Sequence, residues 1–204
     1  MILICDIIFI NEVRFMLLMK DIIDDSDKRI RTKSQEVEMP LSNKDRQTLQ
    51  DMYDFLVNSQ DPKISDKYEL RPAVGIAAIQ LGIPKRMCAI YICDYDENGE
   101  VTHSDSYGLV NPKIVSHTEK KTYLINGEGC LSVNKEIPGY VPRYAKVTVE
   151  GYDILTDSQI RIVARGYLSI CLQHELDHFD GILFYDRINK KIPLEPIADA
   201  MVIE

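Results

Sequence analysis

The sequence has 204 residues, of which 45% are hydrophobic, and this is enough apolar material for the core of a single domain. Its formal net charge of −8 argues against general nucleic-acid binding, because that function usually requires a basic surface. The cysteines are odd in number and contain no Cys-x-x-Cys pair, so we expect no disulfide framework and a reducing, cytoplasmic compartment: Cys5, Cys88, Cys93, Cys130 and Cys171.

The chain begins with an apolar run, MILICDIIFI. This run is too short to span a bilayer, is interrupted by Asp6 and has no basic segment before it, so we expect neither a membrane anchor nor an export signal. Met16 and Met19 would both serve as translation start residues. We therefore interpret residues 1–15 as a candidate N-terminal extension and residues 16–204 as one catalytic domain.

The first helix is predicted to begin after Ser42. Serine is a good N-cap residue, and apolar residues follow it at helical spacing as far as Asn58. Before this helix, residues 20–40 are polar and predict a short helical turn and an extended surface segment. After it, residues 64–71 predict an irregular connection.

Strand patterns fill the middle of the chain. Apolar or alternating runs predict strands at residues 86–93, 107–116 and 121–125, and a hairpin that pairs residues 144–152 with 160–164. A helix is then predicted from Tyr167 to Phe179, and the tail after it begins with a short strand at residues 182–186. Strands that precede one late helix favour an α+β fold, with antiparallel sheets packed around that helix and a strand-like C-terminal tail.

The late helix carries the run Gln173-His174-Glu175-Leu176-Asp177-His178. Two histidines four residues apart on a helix are separated by about 6 Å along its axis. Both can bind one metal ion, while a glutamate beside the first can contact a water on that ion. We also expect Asp177 to form a buried ion pair with Arg143 that supports the histidines.

A catalytic metal site of this kind needs a third protein ligand. Residues 179–204 contain no histidine, and neither Glu195 nor Glu204 lies on a convincing helix. Upstream, Cys130 stands between small residues, a context that suits an exposed thiolate. A lone cysteine is more often buried than a ligand, but with the helix it completes a Cys-His-His set.

The stretch from Pro72 to Gly82 alternates small and branched residues and contains one amide, Gln80. A tightly packed strand or turn is the ordinary interpretation, because glycine spacing alone is a weak signal. The functional interpretation is that the small residues let a substrate backbone approach and that Gln80 donates a hydrogen bond to it.

Three of these segments resemble the motifs of one enzyme family. Residues 128–132 (EGCLS) resemble the EGCLS motif of peptide deformylases, residues 173–178 resemble their QHExDH motif, and residues 75–80 (GIAAIQ) resemble most of their GxGxAAxQ motif. The motifs occur in the family's order, and the resemblance extends from about Met19 to the end of the chain. It is strongest to the Gram-positive-like, type 2 subgroup.

The resemblance implies a metal-dependent hydrolase that removes the N-formyl group from the formylmethionine of newly made peptides and releases formate. It implies that Cys130, His174 and His178 bind the metal. The family usually uses Fe²⁺, and Zn²⁺, Ni²⁺ or Co²⁺ can occupy such a ligand set in purified protein. Partners implied by the resemblance are N-formylmethionyl nascent peptides and the ribosome near its tunnel exit, with a monomeric protein and neither nucleic-acid readout nor membrane contact.

The same resemblance assigns the catalytic roles. A water on the metal would be the nucleophile, and Glu175 would be the general acid/base. Gln80 and the backbone N–H of Leu131 would stabilise the developing oxyanion.

The formylmethionine side chain would enter an apolar pocket beside the helix, and substrate amides would pair with the backbone of residues 73–75 as an added strand. Ordinary core packing explains Leu124 and Ile170 nearly as well. The residues that resemble the family's pocket and rim positions are Arg71, Ala73, Val74, Gly75, Ile76, Leu124, Gly129, Tyr167, Ile170 and Cys171.

Two positions depart from the family pattern, since Ala73 replaces a glycine and Ile79 replaces the proline before Gln80. If residue 73 has a positive φ, alanine is strained there; otherwise it costs little. These departures motivate one alternative, an inactive or attenuated paralogue.

A second alternative is a zinc peptidase of the His-Glu-x-x-His kind, which predicts a ligand downstream of the helix and no need for Cys130. A cysteine hydrolase that uses Cys130 is weaker, because it leaves both histidines and Glu175 unexplained.

Overall fold

The computed structural model of the chain describes residues 16–98 and 101–204, so the candidate extension at residues 1–15 lies outside the described residues. Within the described part, no helix has both the length and the apolar character needed to cross a membrane.

Two β-sheets form the frame of the described chain. A five-stranded antiparallel sheet has the order β1-β2-β3-β6-β7, and a three-stranded sheet has the order β5-β4-β8, in which β4 and β8 run parallel. The α+β class is confirmed, with one parallel pair among the expected antiparallel ones. The strands are β1 (Gly75–Ala77), β2 (Met87–Tyr95), β3 (Val101–His117), β4 (Lys121–Leu124), β5 (Arg143–Tyr144), β6 (Lys146–Asp153), β7 (Ser158–Arg165) and β8 (Met201–Ile203).

The α-helices of the described chain are α1 (Asn43–Gln60), α2 (Pro62–Tyr68) and α3 (Gly166–His178). Helices α1 and α3 cover opposite faces of the large sheet, because successive side chains of a strand point to opposite sides. On β2, Cys88 and Ile90 pack in the same core as Leu172 of α3, whereas Met87 and Ala89 pack with residues of α1. Helix α3 is therefore enclosed, and every residue from Ser169 to His178 is buried.

Most predicted elements are confirmed, including the late helix and the hairpin of β6 and β7. The prediction of an irregular segment at residues 64–71 is wrong, because α2 begins at Pro62. The Asp61 side chain accepts hydrogen bonds from the N–H groups of Lys63 and Ile64, and proline suits the first helical position.

The predicted short strand at residues 182–186 is also wrong. That segment contains a 3₁₀-helix, Phe184–Arg187, whose turn closes when the Asp186 carboxylate accepts a hydrogen bond from the Leu183 N–H at 2.8 Å. Leu183 and Phe184 pack in the core beside α3. The strand of the tail lies further on, at Met201–Ile203.

Candidate metal centre and substrate cavity

Helix α3 presents two histidines to one point. Gly166 joins β7 directly to α3 and has a φ of 58°, a backbone conformation that favours glycine. His174 and His178 follow one turn apart, and their ring centroids are 5.0 Å apart. Both side chains are buried, so a metal held between them would be shielded from bulk water.

Cys130 approaches the two histidines from the loop between β4 and β5. Its Sγ lies 3.4 Å from Nε2 of His178, and the candidate ligand atoms of Cys130, His174 and His178 lie within 4.8 Å of one another. One thiolate and two imidazoles are donors that suit zinc, iron, nickel or cobalt. The three residues that the sequence suggested as ligands are thus brought together and fit a metal ion.

A carboxylate orients the first histidine. Nδ1 of His174 lies 2.8 Å from Oε2 of Glu128, and Glu128 accepts two hydrogen bonds of 2.8 Å from the Arg143 guanidinium. Burial by itself would raise the pKa of Glu128. The hydrogen bonds and charges of Arg143 and His174 have a larger effect and lower this pKa to about 2. A charged Glu128 holds the Nε2 of His174 toward the metal position.

The expected ion pair between Asp177 and Arg143 is present and buried. It forms part of a larger network, because Arg187 also binds the Asp177 carboxylate. Two arginines and two carboxylates therefore support the ligand helix. Neither Glu128 nor Arg187 was singled out from the sequence, although the place of Glu128 two residues before Cys130 was a usable signal.

Glu175 faces the same centre. Glu175 is 3% exposed, and this burial raises the pKa of its carboxyl group to about 7. The group can therefore hold or release a proton near neutral pH. Among the described residues its buried Oε2 has no hydrogen-bond partner in the protein, which leaves that atom available to a water or substrate. An unpaired buried carboxylate oxygen next to three ligand atoms fits a hydrolytic metal site.

Gln80 points its amide nitrogen at the ligand loop. Its Oε1 accepts a hydrogen bond of 2.8 Å from the Ala77 N–H, and its Nε2 lies 3.5 Å from Cys130 Sγ and 3.2 Å from Ser132 Oγ. The Ala77 contact fixes the amide so that its donor side faces the centre. Gln80 also lines the cavity described below, as the functional interpretation of residues 72–82 requires.

A cavity of about 400 Å³ opens over these groups. It is lined by nearly all of the residues that the sequence suggested, together with Gln60, Pro72 and Glu128, which it did not. Of the suggested residues, the lining contains Arg71, Ala73, Val74, Gly75, Gln80, Leu124, Gly129, Cys130, Leu131, Tyr167, Ile170, Cys171, His174 and Glu175.

Ile76 is not part of that lining. It is fully buried in the core on the α1 side of the sheet, because it alternates with Gly75 and Ala77 along β1. His178 is 1% exposed and is likewise absent from the lining.

Arg71 contacts the ligand loop rather than projecting freely at the rim. Its guanidinium donates to the carbonyl oxygens of Cys130 and Leu131, each at 3.0 Å, and to Val133 and Asn134 at longer distances. One side chain therefore contacts the backbone that carries both a candidate metal ligand, Cys130, and the Leu131 N–H.

The two departures from the family pattern are accommodated. The described non-glycine residues with positive φ are Glu69, Asn111, Asp157 and Asp199, so alanine at position 73 is not strained. Ile79 is fully buried in the core that contains α3.

The sequence matches the family model described as polypeptide deformylase over residues 19–193. It is 44% identical to peptide deformylase 2 of Bacillus cereus over 189 residues, which cover 93% of this chain and 100% of that relative. It is 50% identical to the peptide deformylase of Shouchella clausii over 173 residues, which cover 85% of this chain and 91% of that relative.

Solved structures resemble the fold as well. The crystal structure of peptide deformylase from Ehrlichia chaffeensis has a TM-score of 0.66 and 29% identity, covering 87% of this chain and 90% of that one. The Met-Ala-Ser-bound class I type b peptide deformylase from Acinetobacter baumannii has a TM-score of 0.64 and 26% identity, covering 86% of this chain and 99% of that one.

Proposed function

This chain belongs to the peptide deformylase family, which removes the formyl group from nascent peptides by hydrolysis, and we propose that residues of the cavity over α3 perform that reaction. The observation that carries the proposal is the convergence of Cys130, His174 and His178 within 4.8 Å beneath a cavity that also contains Glu175. A zinc peptidase with a downstream ligand is not favoured, because the third candidate ligand is Cys130.

Cys130, His174 and His178 would hold the metal, and Glu128 would keep His174 in its ligating orientation. A metal bound there supplies Lewis acidity that polarises the formamide carbonyl and activates water. Glu175 would accept a proton from the attacking water and return one to the leaving amine. Its pKa of about 7 allows both transfers near neutral pH.

Two donors are available for the oxygen that becomes negatively charged. Gln80 Nε2 is oriented by Ala77, and the Leu131 N–H lies next to Cys130 on the loop that Arg71 holds. Removal of one such donor typically lowers kcat by about 10²–10³-fold. We assign Gln80 and Leu131 to this role.

The free edge of β1 supports the binding of an extended peptide. The Val74 carbonyl accepts a hydrogen bond from Tyr91 of β2, so in an antiparallel pair the N–H and C=O of the next residue, Gly75, face away from β2. The backbone groups of Ala73 are already used by Ser59 and Gln60 of α1. Gly75 is therefore the backbone position that we assign to the substrate.

The methionine side chain would enter the apolar part of the cavity. Leu124, Ile170 and Cys171 line it, and Tyr167, which is 40% exposed, stands at its rim. Burial raises the pKa of the Cys171 thiol, so this cysteine remains neutral and acts as a small apolar wall.

Fe²⁺ is our proposed metal, since the family resemblance favours it although zinc and nickel generally bind such ligands more tightly. A cytoplasmic monomer that acts on nascent chains at the ribosome remains our proposal for its location and partners. The proposed location and partners are inferred from the nature of the substrate, a nascent formylated peptide, and not from a contact within the protein.

The test is formate release from formyl-Met-Ala-Ser by protein purified without oxygen and loaded with iron, in comparison with zinc-loaded protein. We expect turnover by the wild type and none above background for Glu175→Gln, which keeps the size of the side chain but not its basicity. Formate release by both proteins at the same low rate would contradict the proposal and favour the inactive paralogue.

A further inference from the structure

A second cavity of about 360 Å³ also borders α3, with a lining different from that of the catalytic cavity. Its α3 wall consists of Gln173, Leu176 and Asp177, whereas the catalytic cavity contacts Ile170, His174 and neighbours on the other helix face. No residue belongs to both linings. The second cavity is therefore separate from the proposed substrate site.

Positive charge is concentrated around this second cavity. Among the described residues that line it, five cations face two carboxylates: Arg86, Lys113, Lys121, Arg143 and Arg187 against Asp177 and Asp180. The whole chain carries a formal charge of −8, so the positive charge around this cavity contrasts with the negative net charge of the protein. Cations of one sign around a concave wall raise the local concentration of anions.

Several of these cations already form ion pairs with carboxylates of the protein. Arg143 binds Glu128 and Asp177, and Arg187 binds Asp177, so these two arginines and two carboxylates balance each other. Lys113 pairs with exposed Glu36 at 2.7 Å. The remaining cations are Arg86, whose one ion pair with a described residue is a long contact of 3.6 Å to half-exposed Asp180, and Lys121.

Arg86 and Lys121 have hydrogen-bond donors to spare. The Arg86 guanidinium stacks 5.0 Å from the centre of the Phe179 ring, and the nearest Asp180 oxygen lies 3.6 Å from its Nη1, beyond hydrogen-bond distance. Lys121 stacks its ammonium 3.5 Å from the centre of the Tyr144 ring and forms no ion pair with a described carboxylate. Neither side chain donates a hydrogen bond to a described carboxylate, so both cations can contact an anion in the cavity.

We propose that this cavity binds a phosphate group through Arg86 and Lys121. A guanidinium offers a planar fork that matches two phosphate oxygens, and an ammonium adds a point charge. Two sources share this chemistry, a free phosphate ion or the phosphodiester of a single-stranded nucleic acid.

Isothermal titration of the iron-loaded protein at low salt tests the proposal, with inorganic phosphate, pyrophosphate and a short single-stranded oligonucleotide as probes. We expect binding of at least one probe that is roughly tenfold weaker in Lys121→Gln, since each charge-assisted contact contributes about that factor. Binding of phosphate or pyrophosphate would assign a free ion, and binding of the oligonucleotide alone would assign a strand.

Lys120→Gln is the matched control, because Lys120 is exposed, adjacent in sequence and outside the cavity lining. It removes the same charge and should leave binding unchanged, and both variants should retain formate release, which shows that they are folded. Arg86→Gln gives a second test of the same contact. The proposal is overturned if no probe binds, or if Lys120→Gln weakens binding as much as Lys121→Gln does.

Discussion

Gly75 lies directly against the Glu175 carboxylate: a β-carbon built at position 75 would be 2.4 Å from Oε1 and 2.8 Å from Cδ of Glu175. Real β-carbons do not approach other atoms so closely, so no side chain fits at position 75 while Glu175 keeps its position. β1 thus leaves room for Glu175, and in the proposed complex it would also offer the backbone of Gly75 to a peptide.

Gly75→Ala should lower both activity and stability. The new methyl group must displace Glu175 or β1, and we expect a loss of about 1–3 kcal/mol in the free energy of unfolding together with a large fall in kcat/KM. Denaturant unfolding and formate release measure the two effects. In a Glu175→Ala background the same substitution should cost much less stability, and an equal cost in both backgrounds would show that the contact with Glu175 is not the cause.

Glu128→Gln should weaken metal binding. The amide cannot provide the charge that Arg143 and His174 both contact, and loss of such an outer carboxylate typically lowers metal affinity by about 10–100-fold. Competition with a metal chelator measures the affinity. Glu119→Gln, which removes the same charge from a 94% exposed side chain, is the control, and equal metal affinity in the two variants would rule out the orienting role.

Arg71→Lys should reduce kcat more than it raises KM. A lysine cannot contact four oxygen atoms of the 130–134 loop at once, so the Leu131 N–H would be held less firmly, at a cost of roughly tenfold in rate. Steady-state kinetics separate the two constants, with the exposed Arg165→Lys as control. A rise in KM with kcat unchanged would instead support the rim contact with substrate that the sequence suggested.

Gln80→Leu should lower kcat by about 10²-fold or more, because it removes one donor to the oxyanion while keeping a similar volume. Metal content should stay at the wild-type level, since Gln80 is not a candidate ligand. Elemental analysis and formate release check both statements. An unchanged kcat in fully metal-loaded protein would show that Leu131 or another donor is sufficient.

Local sequence motifs were sufficient to predict the fold class and most of the candidate site residues. The spacing of His174 and His178 on a helix, with Glu175 between them, is a property of α-helical geometry and needed no tertiary information. The α+β class followed from strand patterns that precede a single late helix. The motif around Cys130 and the resemblance it carries identified the third candidate ligand.

Only the tertiary structure decided how those residues meet, because contacts between distant segments depend on packing rather than on local pattern. Glu128 reaches His174 across 46 positions of sequence, and Arg71 reaches Cys130 across 59. Ile76 turned out to face α1 because side chains alternate along β1, and the strand register could not be read from the sequence alone.

The absence of strain at Ala73 and the need for glycine at position 75 are likewise facts of backbone geometry. The sequence therefore specified the candidate groups of the site, and the packing of β1, α3 and the Cys130 loop determined the distances between them.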